Sequence, residues 1–158
     1  MKVQQNYDLT KLNTFGVVVR ARFFAEVASE LELTELLEMP EFKNSKRVFL
    51  GGGSNVLFLK DFDGMVVLNK LKGIEITNQD AESVCVRAMS GEIWHDLVTF
   101  TVDRGYWGLE NLAYVPGTVG AAPMQNIGAY GAELKNVLER VEAIEIETGE
   151  KKVFSNSE

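Results

Sequence analysis

The sequence predicts a single domain that contains both helices and strands. Three observations support this class: β-branched and aromatic runs that end at glycine-rich turns, segments with apolar residues at helical spacing, and a strictly alternating segment near the end of the chain. The 158 residues are 46% apolar and 25% charged, the composition of an ordinary folded domain, and a chain of this length can bury a sizeable core.

The first half of the chain has the outline of a β-α-β unit followed by further strands. Ser29 with Glu32 three residues later has the form of a capping box, which predicts a helix that ends before Pro40. Past the glycines at 51–53 the apolar residues are continuous rather than helical, and Asp61-Phe62-Asp63-Gly64 predicts a turn. The predicted strands are Val17–Phe24, Arg47–Leu50, Met65–Leu68, Gly73–Thr77 and Ser83–Ala88.

The second half begins with a predicted helix from Gly91 to Arg104, stopped by Gly105, and continues into a loop-rich stretch from Leu109 to Gly131. The alternating segment Val141–Glu147 then turns at 148–150, so that 151–154 can pair back as a hairpin. Ser155–Glu158 resembles the opening of a helix, from which we expect the natural chain to continue, although a frayed tail fits the same four residues.

Charge and cysteine content exclude several classes. Sixteen basic residues against 23 acidic ones give a net charge of −7, which argues against a nucleic-acid surface, although backbone N–H groups can still hold a small anion. The single cysteine, Cys85, cannot form an internal disulfide, so we expect a reducing, cytoplasmic setting. Neither a signal sequence at Met1–Asp8 nor an apolar run of about 18 residues is found, so we expect no membrane partner. The oligomeric state is left open.

The glycine run after the predicted strand 47–50 is the first candidate site. A dinucleotide fingerprint needs a glycine where Val56 stands, and no phosphate-loop lysine motif occurs. What remains is a strand followed by Gly51, Gly52, Gly53, Ser54 and Asn55, where backbone N–H groups can approach an anion closely. The alternative is a tight turn with no ligand.

The second candidate site is Val115–Gly131, whose small side chains would let a flat ligand lie against the backbone. Gln125 and Asn126 are suited to hydrogen-bond the edge of a heteroaromatic ring. A buried connection with glycines at positive φ is the alternative for this segment. Tyr130 is suited either to stack on a ligand or to pack beneath the glycine turn.

Six ordered motifs make the sequence similar to the UDP-N-acetylenolpyruvoylglucosamine reductases, flavoenzymes that complete muramic acid for bacterial peptidoglycan. The resemblance extends over essentially the whole chain from Asn13 onward. The motifs are Asn13-Thr14-Phe15, 50–57 (LGGGSNVL), 91–95 (GEIWH), 108–112 (GLENL), 116–120 (PGTVG) and 125–131 (QNIGAYG).

The resemblance implies a flavin-binding domain of the vanillyl-alcohol-oxidase type, with two α+β subdomains and FAD between them. The subdomains would cover about 13–70 and about 71–158, and the family's substrate-binding domain would be absent from this chain. The glycine loop (Gly51–Asn55) would hold the FAD pyrophosphate. The expected contacts to the rest of the cofactor are Pro116, Gly117, Gly120, Ala121, Gln125, Asn126, Gly128 and Ala129.

In the family, NADPH reduces noncovalent FAD, which then reduces UDP-N-acetylglucosamine enolpyruvate to UDP-N-acetylmuramate. The family's catalytic serine, arginine and glutamate would lie beyond Glu158, so the chain alone is expected to lack a catalytic residue and to be inactive. A stand-alone flavin- or nucleotide-binding module without catalysis is the alternative. The flavin subunit of a molybdenum hydroxylase has a similar glycine loop, but the run 125–131 does not fit it.

Two reactive side chains are given structural interpretations. His95 is the sole histidine and has no neighbour in the sequence to tune it, so neither a catalytic base nor a covalent flavin link is predicted. Cys85 has no cysteine or histidine cluster around it, so it is interpreted as a packing residue, and no metal site is predicted.

Overall fold

A computed structural model describes residues 1–157, which form two compact units, Met1–Leu71 and a second one that begins at Lys72. The predicted α+β class is confirmed. The strands are β1 Gln4–Asp8, β2 Arg20–Val27, β3 Lys46–Leu50, β4 Phe62–Asn69, β5 Ile74–Gln79, β6 Val84–Ala88, β7 Gly128–Ala129, β8 Ala132–Glu133, β9 Arg140–Ile144 and β10 Lys151–Ser155. The α-helices are α1 Glu30–Glu38, α2 Pro40–Lys43 and α3 Trp94–Val102.

The first unit contains a four-stranded sheet in the order β1-β2-β4-β3. β1 pairs antiparallel with β2, while β2 and β3 both pair in parallel with β4. The predicted β-α-β outline is therefore present, but β4 lies between its two strands. Residues 64–68 of β4 are buried one after another, as expected of a strand at the centre of a parallel sheet.

The predicted turn at 61–64 is wrong, because β4 begins at Phe62. Gly64 pairs with Lys46 of β3, and a Cβ on Gly64 would overlap the Lys46 carbonyl oxygen. The glycine is therefore explained by the close approach of two strands rather than by a change of chain direction.

The strand predicted over Val17–Phe24 forms three residues later, and β1 was not predicted. Val17 donates its N–H to the Asn13 side chain rather than to a sheet partner, and the sheet pairing starts at Arg20. β1 is mostly polar, so its sequence lacks apolar alternation; its contribution to the core is Tyr7, whose ring stacks on Phe24 at 3.8 Å.

The capping box at the start of α1 is confirmed. Ser29 Oγ accepts a hydrogen bond from Glu32 N at 3.2 Å, while the Glu32 carboxylate reaches back to Ala28 N at 2.8 Å. The helix ends at Glu38, two residues before Pro40, as predicted. Pro40 then begins the short helix α2, which the sequence did not predict.

The core of the first unit lies against β2 and β4. Its buried members are Leu9, Val19, Ala21, Phe24, Leu50, Phe58, Val66 and Leu68. Met65 and Val67 alternate with these positions, so they face the other side of the sheet, where α1 contacts β2 and buries Leu36 and Leu37.

The second unit contains three antiparallel strand pairs, β5 with β6, β7 with β8 and β9 with β10. The predicted strands at 73–77 and 83–88 and the terminal hairpin are confirmed. The core surrounds α3, where Trp94 is buried and its indole N–H donates to the Leu112 carbonyl at 2.8 Å. Its buried members are Trp94, Leu97, Val98, Leu112, Ala122, Ile127 and Leu134.

The helix predicted over Gly91–Arg104 is shorter at both ends. Residues 91–93 precede it because Ile93 forms an isolated β-bridge with Thr118. The loop-rich stretch contains three short 3₁₀ helices, at Glu110–Leu112, Val119–Ala121 and Pro123–Gln125.

The predicted helix start at Ser155–Glu158 is not formed by the described part of that segment. Ser155 is the last residue of β10, residues 156–157 form a turn, and Glu158 lies outside the described residues. Across residues 1–157, no helix has both the length and the apolar character needed to cross a bilayer.

Candidate functional site

The glycine loop, Gly51–Asn55, follows β3 directly and forms a sharp turn in the first unit. Gly52 and Asn55 are exposed, whereas Gly53 is buried. Within residues 1–157 no backbone carbonyl accepts a hydrogen bond from the N–H of Gly51, Gly52, Gly53 or Ser54. The loop therefore carries several main-chain donors in a short span beside an exposed glycine, which is the arrangement that fits a pyrophosphate.

Gly53 is glycine for a reason within the fold. Its φ is +68°, and a Cβ there would overlap the carbonyl oxygen of Leu12 and lie 3.2 Å from the Asn13 Cα. The sequence interpretation, in which all three glycines serve the approach of an anion, is therefore incomplete. Gly53 is required by the tight contact with 12–13, while the exposed Gly52 is the better candidate for contact with a ligand.

The Asn13-Thr14 turn joins the glycine loop to the core. Thr14 donates both its N–H and its hydroxyl to the Gly53 carbonyl, each at 3.0 Å. Asn13 is 6% exposed, and its amide donates to the Leu9 and Val17 carbonyls at 3.0 and 3.1 Å. The sequence singled out this motif only as part of the family resemblance, because its contact with Gly53 joins residues 39 positions apart.

The second predicted segment, 115–131, lies entirely in the second unit, where its first part pairs with the chain before α3. Trp94 N donates to the Gly117 carbonyl at 3.1 Å, and Val119 N donates to the Glu92 carbonyl at 2.9 Å. Gly120 N donates to the Ser90 carbonyl at 2.9 Å, and a Cβ on Gly120 would lie 2.5 Å from Ser90 Cβ. The motifs 91–95 and 116–120 thus form one local structure, and Gly120 is required by its packing.

Thr118 stands at the centre of this local structure and was not among the predicted site residues. Thr118 is 9% exposed, and among the described residues its hydroxyl is a buried polar atom with no hydrogen-bond partner. A buried hydroxyl left without a partner is costly in free energy, so an unpartnered one marks a place where a ligand or a water fits. Its position inside the small-residue run was the available signal in the sequence.

The last part of the segment is a tight hairpin. Asn126 adopts left-handed φ of 42°, and its side-chain oxygen accepts from Lys135 N at 3.0 Å, which makes this amide oxygen part of the fold. Tyr130 and Gly131 connect β7 to β8 with φ of 53° and 80°, as in a type I′ turn. Tyr130 is 90% exposed, so the interpretation in which it packs beneath the glycine turn is wrong.

Glu92, in the motif 91–95 that pairs with the second segment, has a carboxylate with two charged or polar partners. Its half-buried carboxylate accepts from Gly73 N at 2.6 Å and pairs with Lys72 Nζ at 3.1 Å. Burial alone would raise the pKa of Glu92, but the Gly73 N–H and the Lys72 ammonium outweigh it and hold the pKa below its ordinary value. Glu92 thus joins the start of β5 to the motif that pairs with 116–120.

His95 and Cys85 occupy structural positions. His95 Nδ1 accepts from Tyr114 N at 3.4 Å, and the two rings stack at 4.4 Å. Cys85 is half-buried in β6, and its thiol donates to the Glu139 carboxylate at 2.8 Å. In the part of the chain that the structure describes, no group of three or more histidine, cysteine, aspartate or glutamate side chains is placed to hold a metal ion.

The predicted contact residues are thus compact within their own units. Gly51, Gly52, Gly53, Ser54 and Asn55 form one turn in the first unit, and Pro116, Gly117, Gly120, Ala121, Gln125, Asn126, Gly128 and Ala129 belong to one folded segment in the second. Their contacts with a cofactor stay predictions.

Comparison with known proteins points to the same chemistry. The profile of a family described as "FAD binding domain" matches residues 21–155. A UDP-N-acetylenolpyruvoylglucosamine reductase from Flavobacterium johnsoniae is 47% identical over 158 residues, which are 100% of this chain and 46% of that protein. The reductase of the same name from Amoebophilus asiaticus is 46% identical over 155 residues, covering 98% of this chain and 46% of that protein.

Among solved structures, the crystal structure of UDP-N-acetylenolpyruvylglucosamine reductase (MurB) from Thermus caldophilus is similar, with a TM-score of 0.77 and 25% identity. The match covers 99% of this chain and 53% of that one. The chain therefore spans about half the length of the relatives that it matches.

Proposed function

Since the chain belongs to the FAD-binding domain family over residues 21–155, we propose that it binds FAD noncovalently as the flavin-binding part of an NADPH-dependent reductase. The proposed substrate of the whole enzyme is UDP-N-acetylglucosamine enolpyruvate, and the proposed product is UDP-N-acetylmuramate, a precursor of peptidoglycan. The proposed location of this reaction is the cytoplasm. The observation that carries this is the 47% identity with a reductase of that name along the entire chain.

The glycine loop would hold the pyrophosphate through main-chain N–H groups, with the Ser54 hydroxyl and the Asn55 amide as further polar groups. The segment 116–129 would line the rest of the cofactor with small side chains and backbone. Thr118 joins this set, because its hydroxyl is buried there without a partner. When bound, FAD supplies the two-electron chemistry between NADPH and the enolpyruvyl double bond, while the chain binds and orients it.

The electrostatics of the chain favour this kind of site over a basic one. The net charge is −7, because 23 acidic residues outnumber 16 basic ones, and this balance disfavours a phosphate-binding surface built from lysine and arginine. Main-chain N–H groups, in contrast, bind anions without any net positive charge. A nucleotide cofactor held by a glycine turn is compatible with an acidic protein.

Thermal unfolding of the purified chain with FAD, FMN, ADP and AMP tests the proposal. A ligand that binds only the folded state raises the free energy of unfolding by about 2.7 kcal/mol at a concentration of 100 Kd. We expect FAD to raise the melting temperature most, and ADP to raise it more than AMP because ADP carries the pyrophosphate. A chain that copurifies without flavin and gains no stability from FAD would contradict the proposal.

A stand-alone flavin- or nucleotide-binding module without catalysis is the second candidate, because the match to the FAD-binding domain family over residues 21–155 supports cofactor binding without requiring a reaction. The two candidates share the FAD site and differ in the natural gene product. If the gene continues into the reductase's remaining length, the module proposal is lost; if translation stops at Glu158, the reductase proposal is lost.

A further inference from the structure

The contact between Thr14 and Gly53 joins a distant segment to the main chain of the glycine loop by paired hydrogen bonds. The Gly53 carbonyl accepts two hydrogen bonds from Thr14, one from the main chain and one from the hydroxyl, both at 3.0 Å. Two donors on one oxygen fix both the position and the direction of that peptide group.

The turn that presents Thr14 is itself anchored in the core. The Asn13 amide donates to the carbonyl of Leu9, which is completely buried, and its oxygen accepts from Val17 N at 2.9 Å. A buried side chain that donates and accepts in this way holds a turn in a single geometry. Thr14 therefore holds the glycine loop in a fixed position relative to the core of the first unit.

Packing against Leu12 also restricts the conformation of the glycine loop. The Cα of Gly53 lies so close to Leu12 that a Cβ would overlap the Leu12 carbonyl. Three consecutive glycines otherwise give the loop large conformational freedom, and ordering each residue costs backbone entropy. A loop that is already held in its binding geometry loses less entropy when a ligand binds.

We propose that Thr14 is a positioning residue for the cofactor site: its hydroxyl holds the Gly53 carbonyl so that the N–H groups of the glycine loop are preorganised for a pyrophosphate. The proposal rests on the proposed function, since it assigns the loop to FAD. Thr14 is itself exposed and lies outside the buried cluster that packs against β2 and β4, so the hydrogen bond of its hydroxyl acts mainly on the loop.

Three variants of the full 158-residue chain separate the effect of the Thr14 hydroxyl from the effects of side-chain shape and of the main-chain N–H. Thr14→Val removes the hydroxyl but keeps the branched shape and the main-chain N–H, and Thr14→Ser keeps the hydroxyl. Thr34→Val is the matched control, because Thr34 is also exposed, lies in the same unit and loses a hydroxyl bond of 2.9 Å, to the Glu30 carbonyl.

Two readouts are needed: the Kd for FAD, and the backbone order parameters of Gly51–Ser54 without ligand, measured by ¹⁵N relaxation. For Thr14→Val we expect binding about five- to tenfold weaker, the effect of one hydrogen bond, and order parameters that fall from about 0.85 toward 0.6. Thr14→Ser and Thr34→Val should match the wild type in both.

The two readouts separate failure of this proposal from failure of the proposed function. If the wild-type chain does not bind FAD, the proposed function is wrong and the order parameters alone decide whether Thr14 holds the loop. Unchanged order parameters in Thr14→Val would overturn the proposal, and so would loosening of the loop without any change in Kd. A fall in unfolding free energy with both readouts unchanged would show that Thr14 serves only stability.

Discussion

At the scale of single residues, two neighbouring glycines of the loop lack a side chain for different physical reasons. Gly53 is buried with φ of +68° and meets the Leu12 backbone, so any side chain there strains the fold. Gly52 is exposed, and among the described glycines a positive φ is recorded at Gly53 and not at Gly52. Gly53 is therefore required by the fold, whereas Gly52 is the glycine that we propose contacts the ligand.

This difference predicts opposite outcomes for two substitutions. Gly52→Val should weaken FAD binding at least about tenfold, since a branched side chain blocks approach to the main chain, while the free energy of unfolding changes by less than about 1 kcal/mol. Gly53→Val should instead lower the free energy of unfolding by more than about 2 kcal/mol through overlap and backbone strain.

Flavin fluorescence titration and urea unfolding of both variants check this pair. Unchanged FAD affinity in a folded Gly52→Val protein would remove the reason for assigning the loop to the pyrophosphate. A stable Gly53→Val protein would contradict the packing argument.

At the scale of elements, Glu92 connects three parts of the second unit. Its carboxylate holds Gly73 and Lys72 at the start of β5, and its main-chain oxygen accepts from Val119. The pKa of Glu92 is lowered on folding, because the Gly73 N–H and the Lys72 ammonium outweigh the effect of burial. A carboxyl with a lowered folded pKa contributes stability above its unfolded pKa and loses it as the pH falls through the folded pKa.

Glu92→Gln should therefore make the free energy of unfolding depend less on pH in the acid range. At pH 7 we expect the substitution to lower the free energy of unfolding by about 1–2 kcal/mol, because a charged acceptor becomes a neutral one. Below pH 4.5, the ordinary value for this carboxyl, the difference should shrink as wild-type Glu92 becomes protonated.

Urea unfolding at pH 7, 5, 4 and 3 measures this difference. Lys72→Gln is the matched control, since it removes the ammonium but keeps the Gly73 hydrogen bond, and it should show a smaller effect of the same sign. A difference that stays constant from pH 7 to 3 would show that the Glu92 charge does not stabilise the folded chain.

Other elements show what local sequence can and cannot predict. The capping box of α1 and the hairpin of β9 with β10 were predicted correctly, because a cap and a two-residue period are written in adjacent residues. β1 was missed, because its polar sequence becomes a strand only by pairing with β2. The prediction of a turn at 61–64 was wrong, because Gly64 is required by its close contact with Lys46 of β3, which is distant in the sequence.

At the scale of the whole molecule, the chain spans 46% of the Flavobacterium johnsoniae reductase and 53% of the Thermus caldophilus one. The proposal assigns it cofactor binding and assigns the acid and base chemistry of the reductase to the rest of such an enzyme. We therefore predict that the 158-residue chain with added FAD and NADPH does not reduce UDP-N-acetylglucosamine enolpyruvate.

Substrate-dependent oxidation of NADPH, followed by absorbance, measures this directly, with a full-length reductase as the positive control. FAD binding must be shown in the same preparation, so that inactivity is not simply absence of cofactor. Steady turnover by the chain alone would contradict the prediction and would require a catalytic residue within these 158 residues.

The sequence by itself determined the α+β class, most element positions, and six ordered motifs that identified the flavin-binding family. Those properties are encoded within a few adjacent residues or in motif order, so no three-dimensional contact is needed to find them. The tertiary structure alone decided why Gly53, Gly64 and Gly120 carry no side chain, that Thr14 contacts the glycine loop in the first unit, and that the Thr118 hydroxyl is buried without a partner in the second. Close approach of two backbones depends on which distant segments meet, and that is settled only when the chain is folded.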